Sequence, residues 1–266
     1  IFRKFIYGGG TMTHYIAFLK KEILESIRTY KLFIMLIVFV LFGVMNPLAA
    51  KLTPHIIKTL IPDGNSIPIP EATALDSWAQ FFKNITQMGL IVTTLVFSGI
   101  LVTELSKGTL INMLTKGLSR KAVILSKFTS MILIWTLSVT VSFIITWVYT
   151  VYLFPGDGTN NLLFSVFCLW LFGSFLLSLL MFSSTVTNTN YGSLIIVGVT
   201  VVIGMLLNII PSFQKYNPIS LSTRNMELLT NTLNPSSLYN AIGVTIIIIV
   251  ALVTLSILVF RKKQIQ

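Results

Sequence analysis

Between two long apolar runs of the chain, residues 104–127 read ELSKGTLINMLTKGLSRKAVILSK. This 104–127 segment holds one anion, Glu104, and five cations, which are Lys107, Lys116, Arg120, Lys121 and Lys127. In its middle, three apolar side chains recur at i, i+3 and i+4, namely Leu110, Met113 and Leu114. That spacing predicts a short helix with one apolar face over Thr109 to Lys116, bracketed by the helix breakers Gly108 and Gly117.

The ends of this short helix suggest how it is held. Ser119 is suited to cap a further helix that runs into the next apolar stretch. We expect Glu104 to pair with Arg120 or with a cation of the N-terminal helix, and Lys121 and Lys127 to contact anionic lipid headgroups. A short amphipathic helix held between two membrane spans can fit a groove on a partner protein, and we expect Leu110, Met113 and Leu114 to form its docking face.

The amino-acid composition indicates whether the rest of the chain lies in water or in lipid. Of 266 residues, 54% are hydrophobic and 10% are charged, and the mean hydropathy is +0.86. Soluble domains carry about 25% charged residues, so this chain is expected to lie in lipid. The net charge of +11 fits the excess of cations on the cytoplasmic side of membrane proteins better than nucleic-acid binding. The single cysteine, Cys168, excludes an intrachain disulfide, and His14 and His55 lack metal-ligand spacing.

The predicted fold is an all-α integral membrane protein in which an amphipathic interfacial helix precedes six transmembrane helices. The apolar runs place the spans within residues 32–260, at about 32–50, 85–103, 128–154, 162–183, 191–210 and 238–260. Residues 1–11 are interpreted as an upstream extension and residues 261–266 as a basic cytoplasmic tail. With six spans, fourteen Lys and Arg residues fall on one side and five on the other, which places both termini in the cytoplasm.

Residues 12–31 show helical periodicity with an apolar stripe. The stripe comprises Ile16, Leu19, Ile23, Ile27 and Tyr30, whereas the charged residues Lys20, Lys21, Glu25 and Arg28 lie mostly on other faces. This pattern favours a helix in the membrane interface. The alternative is an ordinary amphipathic helix packed on protein.

Two polar segments are expected on the outer side, at 51–83 and at 211–234. Asn46-Pro47 should kink or end the outer part of the first span, and two short helices are expected around Pro54 to Leu60 and Ala72 to Phe82. Trp78, Phe81 and Phe82 are expected to anchor the second of these at the membrane interface. The first segment could cap the outer mouth or serve as a plain connection. Asn234-Pro235 is typical of a helix start.

The predicted span interiors contain no Asp, Glu, His, Lys or Arg. Ion-coupled transporters and intramembrane hydrolases generally need such groups at depth. Four polar residues could line a pathway or could simply bond their own helix backbone: Thr140, Ser142, Thr146 and Asn208. No GxxxxGK[ST] phosphate-binding loop occurs, so energy for uphill transport would have to come from another chain.

The order of interfacial helix, six spans, the leading KKE of Lys20 to Glu22 and the pattern E-x-x-K-G-T-x4-L-T-K-x-x-S-R-x5-S-K in the 104–127 segment resembles the membrane subunit of a type-2 ABC exporter. The resemblance implies that Thr109 to Lys116 is a coupling helix and Thr13 to Tyr30 a connecting helix beside an ATPase. The implied coupling residues are Glu104, Lys107, Gly108, Thr109, Leu110, Met113, Leu114, Lys116, Gly117, Ser119 and Arg120, and those of the connecting helix are Lys20, Lys21, Glu22, Glu25 and Arg28.

The resemblance also implies an assembly in the bacterial plasma membrane. Two membrane subunits, identical or homologous, would enclose the pathway, and two cytoplasmic ABC ATPase subunits would bind ATP and Mg²⁺. This chain itself would carry no cofactor, no metal and no catalytic residue. Residues 218–233 would form short re-entrant helices.

Two other classes of function stay open at this point. One is a secondary transporter or channel without a motor, and the other is a membrane scaffold or sensor that docks a signalling protein. A neighbouring reading frame that encodes an ATPase would discriminate between them and the exporter. The substrate is not determined by the sequence.

Overall fold

A computed structural model describes residues 11–60, 70–106, 108–115, 117–187 and 189–263, with backbone only at residues 11, 13, 60, 111 and 112. The described residues do not include 1–10 of the predicted extension 1–11, 61–69 of the outer segment at 51–83, Lys107 or Lys116. Every regular element of the described residues is a helix. In chain order the elements are α1 (Thr11–Arg28), α2 (Lys31–Leu60), α3 (Ala74–Asn84), a π-helix (Ile85–Gly89), α4 (Leu90–Phe97), α5 (Val102–Ser106), α6 (Thr109–Thr115), α7 (Arg120–Leu153), α8 (Leu162–Val186), α9 (Asn190–Leu207), α10 (Pro211–Gln214), α11 (Ser220–Thr223), α12 (Asn225–Leu229), a 3-10 helix (Pro235–Leu238) and α13 (Tyr239–Lys262).

Six helical stretches of the described chain are long and apolar enough to cross a membrane, which confirms the predicted all-α, six-span fold. They are Lys31–Thr59, Ala74–Ser106, Arg120–Leu153, Leu162–Val186, Asn190–Leu207 and Pro235–Lys262. The second span consists of four consecutive elements, which are α3, the π-helix, α4 and α5. No loop separates α3 from α4, because the π-helix joins them directly.

The bundle is built on α7 and α8. α8 is the central helix, and every residue from 171 to 181 is buried. α13 and α9 pack on α8, whereas α2 and α1 pack along α7 and α3 packs on α2. α9 and α13 bury few side chains, so most of their apolar surface faces outward.

The first span does not end at Pro47, which was one of the two expected outcomes. α2 continues through Pro47 and Pro54 to Leu60. The outer helix predicted at Pro54 to Leu60 is therefore the last part of α2. Pro47 has no N–H, so the carbonyl of Gly43 lacks its usual partner one turn later. The Thr146 hydroxyl donates to that carbonyl at 3.2 Å, which supplies the missing hydrogen bond from α7.

The aromatic residues of α3 do not form an interfacial anchor, and that prediction was wrong. Trp78 is 1% exposed, and Phe81 and Phe82 are buried in the same core. Ser77 shares a 2.6 Å hydrogen bond with Thr150 of α7. The expected helix therefore exists, but it is packed inside the bundle as the start of the second span.

The segments that connect the spans at the end far from α6 are tied together by polar contacts. The Asp157 carboxylate accepts from the backbone N–H of Ala74 at the start of α3, at 3.0 Å. The Asn161 side chain donates to the carbonyl of Leu228 at 3.3 Å, and α11 and α12 pack against α8. Asn234 is the N-cap of the 3-10 helix that leads into α13, as predicted.

Candidate functional site

The 104–127 segment folds as a short helix between two left-handed glycines. Gly108 has φ +67° and Gly117 has φ +92°, a region that residues with a Cβ avoid. α6 therefore stands as a separate element between α5 and α7. Ser119 is the N-cap residue of α7, as predicted, although its side chain makes no capping hydrogen bond.

The apolar face of α6 points into the protein. Leu110 is 0% exposed, and Met113 and Leu114 are half-buried against the same hydrophobic core. The Thr109 hydroxyl donates to the Glu104 carbonyl at 3.2 Å and ties α6 to α5. The prediction that Leu110 docks on a partner is therefore wrong, because its side chain holds α6 on the bundle.

Beside α6, charged side chains from three helices form a compact ion cluster. Lys127 of α7 lies 3.0 Å from both carboxylate oxygens of Glu22 in α1 and 2.8 Å from Oε2 of Glu104 in α5. Lys21 of α1 contacts Glu104, and it lies 3.0 Å from Glu22 and 2.6 Å from Glu25. We call these five residues the junction cluster.

Three residues of the junction cluster are almost closed to solvent, whereas the side chains of Lys21 and Glu25 are 20% and 37% exposed. Lys127 is 1% exposed, Glu22 4% and Glu104 7%. The prediction that Lys127 contacts lipid headgroups is wrong, since its ammonium is enclosed by two carboxylates. Glu104 does pair with a cation of the N-terminal helix, which was one of its two expected partners. Removal of one member of a buried ion pair leaves an uncompensated charge, at a typical cost of about 3–5 kcal/mol.

Lys21 keeps its charge inside this cluster. Burial lowers the pKa of its ammonium, but the carboxylates of Glu22 and Glu104 raise the pKa by more. The net result is a pKa above the ordinary value for lysine, so Lys21 stays protonated at neutral pH.

The three carboxylates of the cluster lie as close together as the ligands of a metal ion would. Oxygens of Glu22, Glu25 and Glu104 lie within 4.8 Å of one another. The ammonium groups of Lys21 and Lys127 contact these same carboxylates. The arrangement is therefore a salt-bridge network whose cations are supplied by the chain.

α1 is attached to the bundle through its polar face. The Tyr15 hydroxyl donates to Thr129 at 3.0 Å, and the Ser126 hydroxyl donates to the Tyr15 carbonyl at 3.0 Å. Its exposed side carries mainly apolar residues, which are Met12, Ile16, Leu24 and Ile27. Together with the exposed cations Lys20 and Arg28, these apolar side chains suit the helix to the membrane interface.

Arg120 does not join the junction cluster. Its Nη1 donates to the carbonyls of Phe260, Arg261 and Lys263, at 2.8, 2.9 and 2.9 Å. Arg120 is therefore not the partner of Glu104, although this was one of the two expected pairings. The neighbouring Lys121 is exposed, and its contact with lipid stays a prediction.

The four pathway candidates occupy different environments. Ser142 and Thr146 are buried along α7, and Thr140 is exposed on the outside of the bundle. Asn208 accepts a 2.8 Å hydrogen bond from Ser220 and shapes the turn after α9. None of the four lines the apolar groove described next, and a pathway role for them stays a prediction. A separate apolar groove of about 470 Å³ lies between the second span, α8 and α9.

The fold and the junction cluster define a multi-pass helical membrane protein with a charged contact at one end of its bundle. The family model of the ABC-2 family transporter protein matches residues 16–265. The chain therefore belongs to the ABC-2 transporter family and is a permease component of an ABC transporter. No curated protein matches the chain.

Proposed function

We propose that this chain is the transmembrane subunit of an ATP-driven ABC exporter. Two copies, or one copy and a homologue, form the translocation pathway in the plasma membrane, with both termini in the cytoplasm. A separate cytoplasmic ATPase binds ATP and Mg²⁺ and drives the pathway through the 104–127 segment. Membership of the ABC-2 family and the absence of a phosphate-binding loop in the sequence support this division of labour.

The observation that carries the proposal is the junction cluster next to α6. A displacement of α6 is passed to α5 through the bond from Thr109 to the Glu104 carbonyl, and Glu104 contacts α1 and α7 through Lys21 and Lys127. Because these charges are buried, separating them is costly, and α1, α5 and α7 are expected to move together. Movement at one short helix would thus reach three helices of the bundle.

The docking surface for the ATPase is proposed to be the exposed side of α6 together with neighbouring cations. Leu110 is excluded because it is buried, whereas Thr109 and Thr115 are exposed. Lys20 and Lys121 are exposed on the adjoining helices α1 and α7. The apolar side of α1 is proposed to lie in the membrane interface, as a connecting helix does in the resembling exporters.

The test is purification of the chain from its native membranes with any ABC ATPase that it retains, followed by Mg-ATP hydrolysis in lipid nanodiscs. We expect the wild-type chain to retain the ATPase. Glu104→Gln removes the charge that joins Lys21 to Lys127 and should lower hydrolysis by the complex about tenfold or more, the factor that corresponds to 1.4 kcal/mol. Glu71→Gln is the matched control, because Glu71 is exposed at the other end of the bundle.

Size-exclusion profiles of both variants distinguish a defect in coupling from misfolding. The proposal fails if the wild-type chain retains no ATPase, or if Glu104→Gln is monodisperse and the complex hydrolyses ATP at the wild-type rate. Gradient-driven flux by the chain alone in liposomes would establish the motor-independent alternative.

A further inference from the structure

The side chain of Arg120 binds the carboxyl end of the last span, which lies far from Arg120 in the sequence. α13 ends at Lys262, and a helix leaves its last carbonyl groups without backbone partners. One guanidinium nitrogen of Arg120 donates to three carbonyls at this end, those of Phe260, Arg261 and Lys263. The guanidinium also lies 5.7 Å from the centre of the buried Phe260 ring.

These contacts are strong for physical reasons. A charged donor makes shorter and stronger hydrogen bonds than a neutral one. A cation at the carboxyl end of a helix is also favoured by the helix dipole. A lysine in place of Arg120 would keep the charge but lose the fixed planar group that binds the carbonyls and packs beside the ring.

The position of Arg120 gives these bonds a mechanical consequence. Only four residues, 116–119, separate the end of α6 from Arg120, which is the first residue of α7. A shift of α6 is therefore passed through this short connection to the group that holds the end of α13. Lys263 continues the chain of contacts, because its ammonium donates to the carbonyls of Thr185 and Thr187 at the end of α8, at 3.2 and 3.4 Å.

We propose that Arg120 is a positioning residue that makes the end of α13 move with α6 and the start of α7. The sixth span is then driven from the 104–127 segment directly, in parallel with the junction cluster, which reaches α1 and α5. The role of Arg120 in transport rests on the proposed function. The mechanical link itself does not, since it can be measured in the chain alone.

The first experiment measures the link without any partner. Spin labels are placed at Ser106 and Lys262, both exposed, in a Cys168→Ser background, and their distance distribution is recorded by pulsed electron paramagnetic resonance in nanodiscs. Arg120→Ala should raise the population with a displaced α13 end about tenfold or more, as expected for loss of hydrogen bonds from a charged group. Arg120→Lys should restore part of the wild-type distribution.

Lys121→Ala is the matched control, since it removes the same charge from the next residue, which is exposed. It should leave the distribution unchanged. An Arg120→Ala distribution that matches the wild type overturns the proposal, whatever the partner of the chain. A displacement equally large in Lys121→Ala overturns it as well, because general loss of charge would then explain the effect.

The second experiment tests the role in transport and uses the complex with the ATPase trapped by ATP and vanadate. Labels at Leu24 and Ser106, both exposed and outside the proposed docking surface, report on the end of α5 next to α6, and labels at Leu24 and Lys262 report on α13. In the wild type both distances should change on trapping. In Arg120→Ala the first change should persist and the second should be lost, a pattern that simple destabilisation would not produce.

The outcomes of the second experiment separate the two proposals. If the wild-type chain binds no ATPase, the proposed function fails and the first experiment still decides the link. If both distances change in Arg120→Ala as in the wild type, Arg120 has no positioning role.

Discussion

Lys127 shows how a single buried charge can join separate helices. It lies on α7 one turn after Val123 and one turn before Met131, both fully buried, so its helical position is a core position. Its ammonium meets Glu22 and Glu104 there instead of water. The buried face of α7 thus carries one cation whose partners come from two other helices.

We predict that Lys127→Met destabilises the protein by about 3–5 kcal/mol, because Glu22 and Glu104 would remain buried with less compensation. Thermal unfolding of the purified chain in detergent, followed by intrinsic fluorescence, measures the effect. Lys121→Met serves as the control and should change stability by less than about 0.5 kcal/mol, as is usual for exposed positions. Equal melting temperatures for Lys127→Met and the wild type would show that the cluster adds no stability.

For single residues, the sequence predicted an ion pair correctly where few residues of the required charge were available. Glu104 is the one acid of its segment, so a pairing with a cation of the N-terminal helix could be anticipated. Lys127 was misassigned to lipid because it was interpreted as one of several cations near a helix end. The spacing of Val123, Lys127 and Met131 was the signal for burial, but its acidic partner Glu22 lies 105 residues away and no local pattern reveals it.

At the scale of helices, the closest contact joins α7 to α8. A Cβ on Gly173 of α8 would lie 2.2 Å from the Trp135 ring of α7. Each tryptophan at this contact is also bonded, because the Trp135 indole donates to the Trp170 carbonyl at 3.0 Å and the Trp170 indole to Thr136 at 2.9 Å. A small residue is therefore required at 173 for the two central helices to pack.

We predict that Gly173→Ala lowers stability by about 1–3 kcal/mol, the usual cost of overpacking a core. Gly198→Ala in α9 is the control, because a Cβ there meets nothing within 4 Å. Alanine favours helix formation, so this control should be neutral or slightly stabilising. Melting curves of the two variants in the same detergent provide the comparison. A Gly173→Ala protein as stable as Gly198→Ala would contradict the packing described here.

The helices themselves were largely predictable, since six apolar runs of sufficient length can hardly fold otherwise in lipid. Their ends were not. Pro47 was expected to interrupt α2, but a hydroxyl from another helix compensates for its missing N–H. Trp78 is typical of an interfacial anchor by residue type, yet α3 lies inside the bundle. Both predictions were wrong because contacts with other helices determine whether a helix continues and which side chains are buried. The local sequence does not show these contacts.

At the scale of the whole molecule, the two ends of the bundle differ in charge. The end that holds α6 carries the junction cluster, the exposed Lys20 and Lys121, and the basic end of α13. The loop cations of the sequence divide fourteen to five in favour of this end. Cations near the ends of spans are retained on the cytoplasmic side, so the bias assigns an orientation that the helices alone do not.

We predict that this end faces the cytoplasm. Single cysteines at Lys262 and at Glu71, exposed at opposite ends, are treated in intact cells with a membrane-impermeant maleimide. Glu71→Cys should be labelled in intact cells, and Lys262→Cys only after the membrane is permeabilised. The unaltered chain should give little signal, because its one cysteine, Cys168, is buried within α8. Labelling of Lys262→Cys from outside would reverse the orientation and remove α6 from the reach of a cytoplasmic ATPase, so this experiment also constrains where energy can enter the protein.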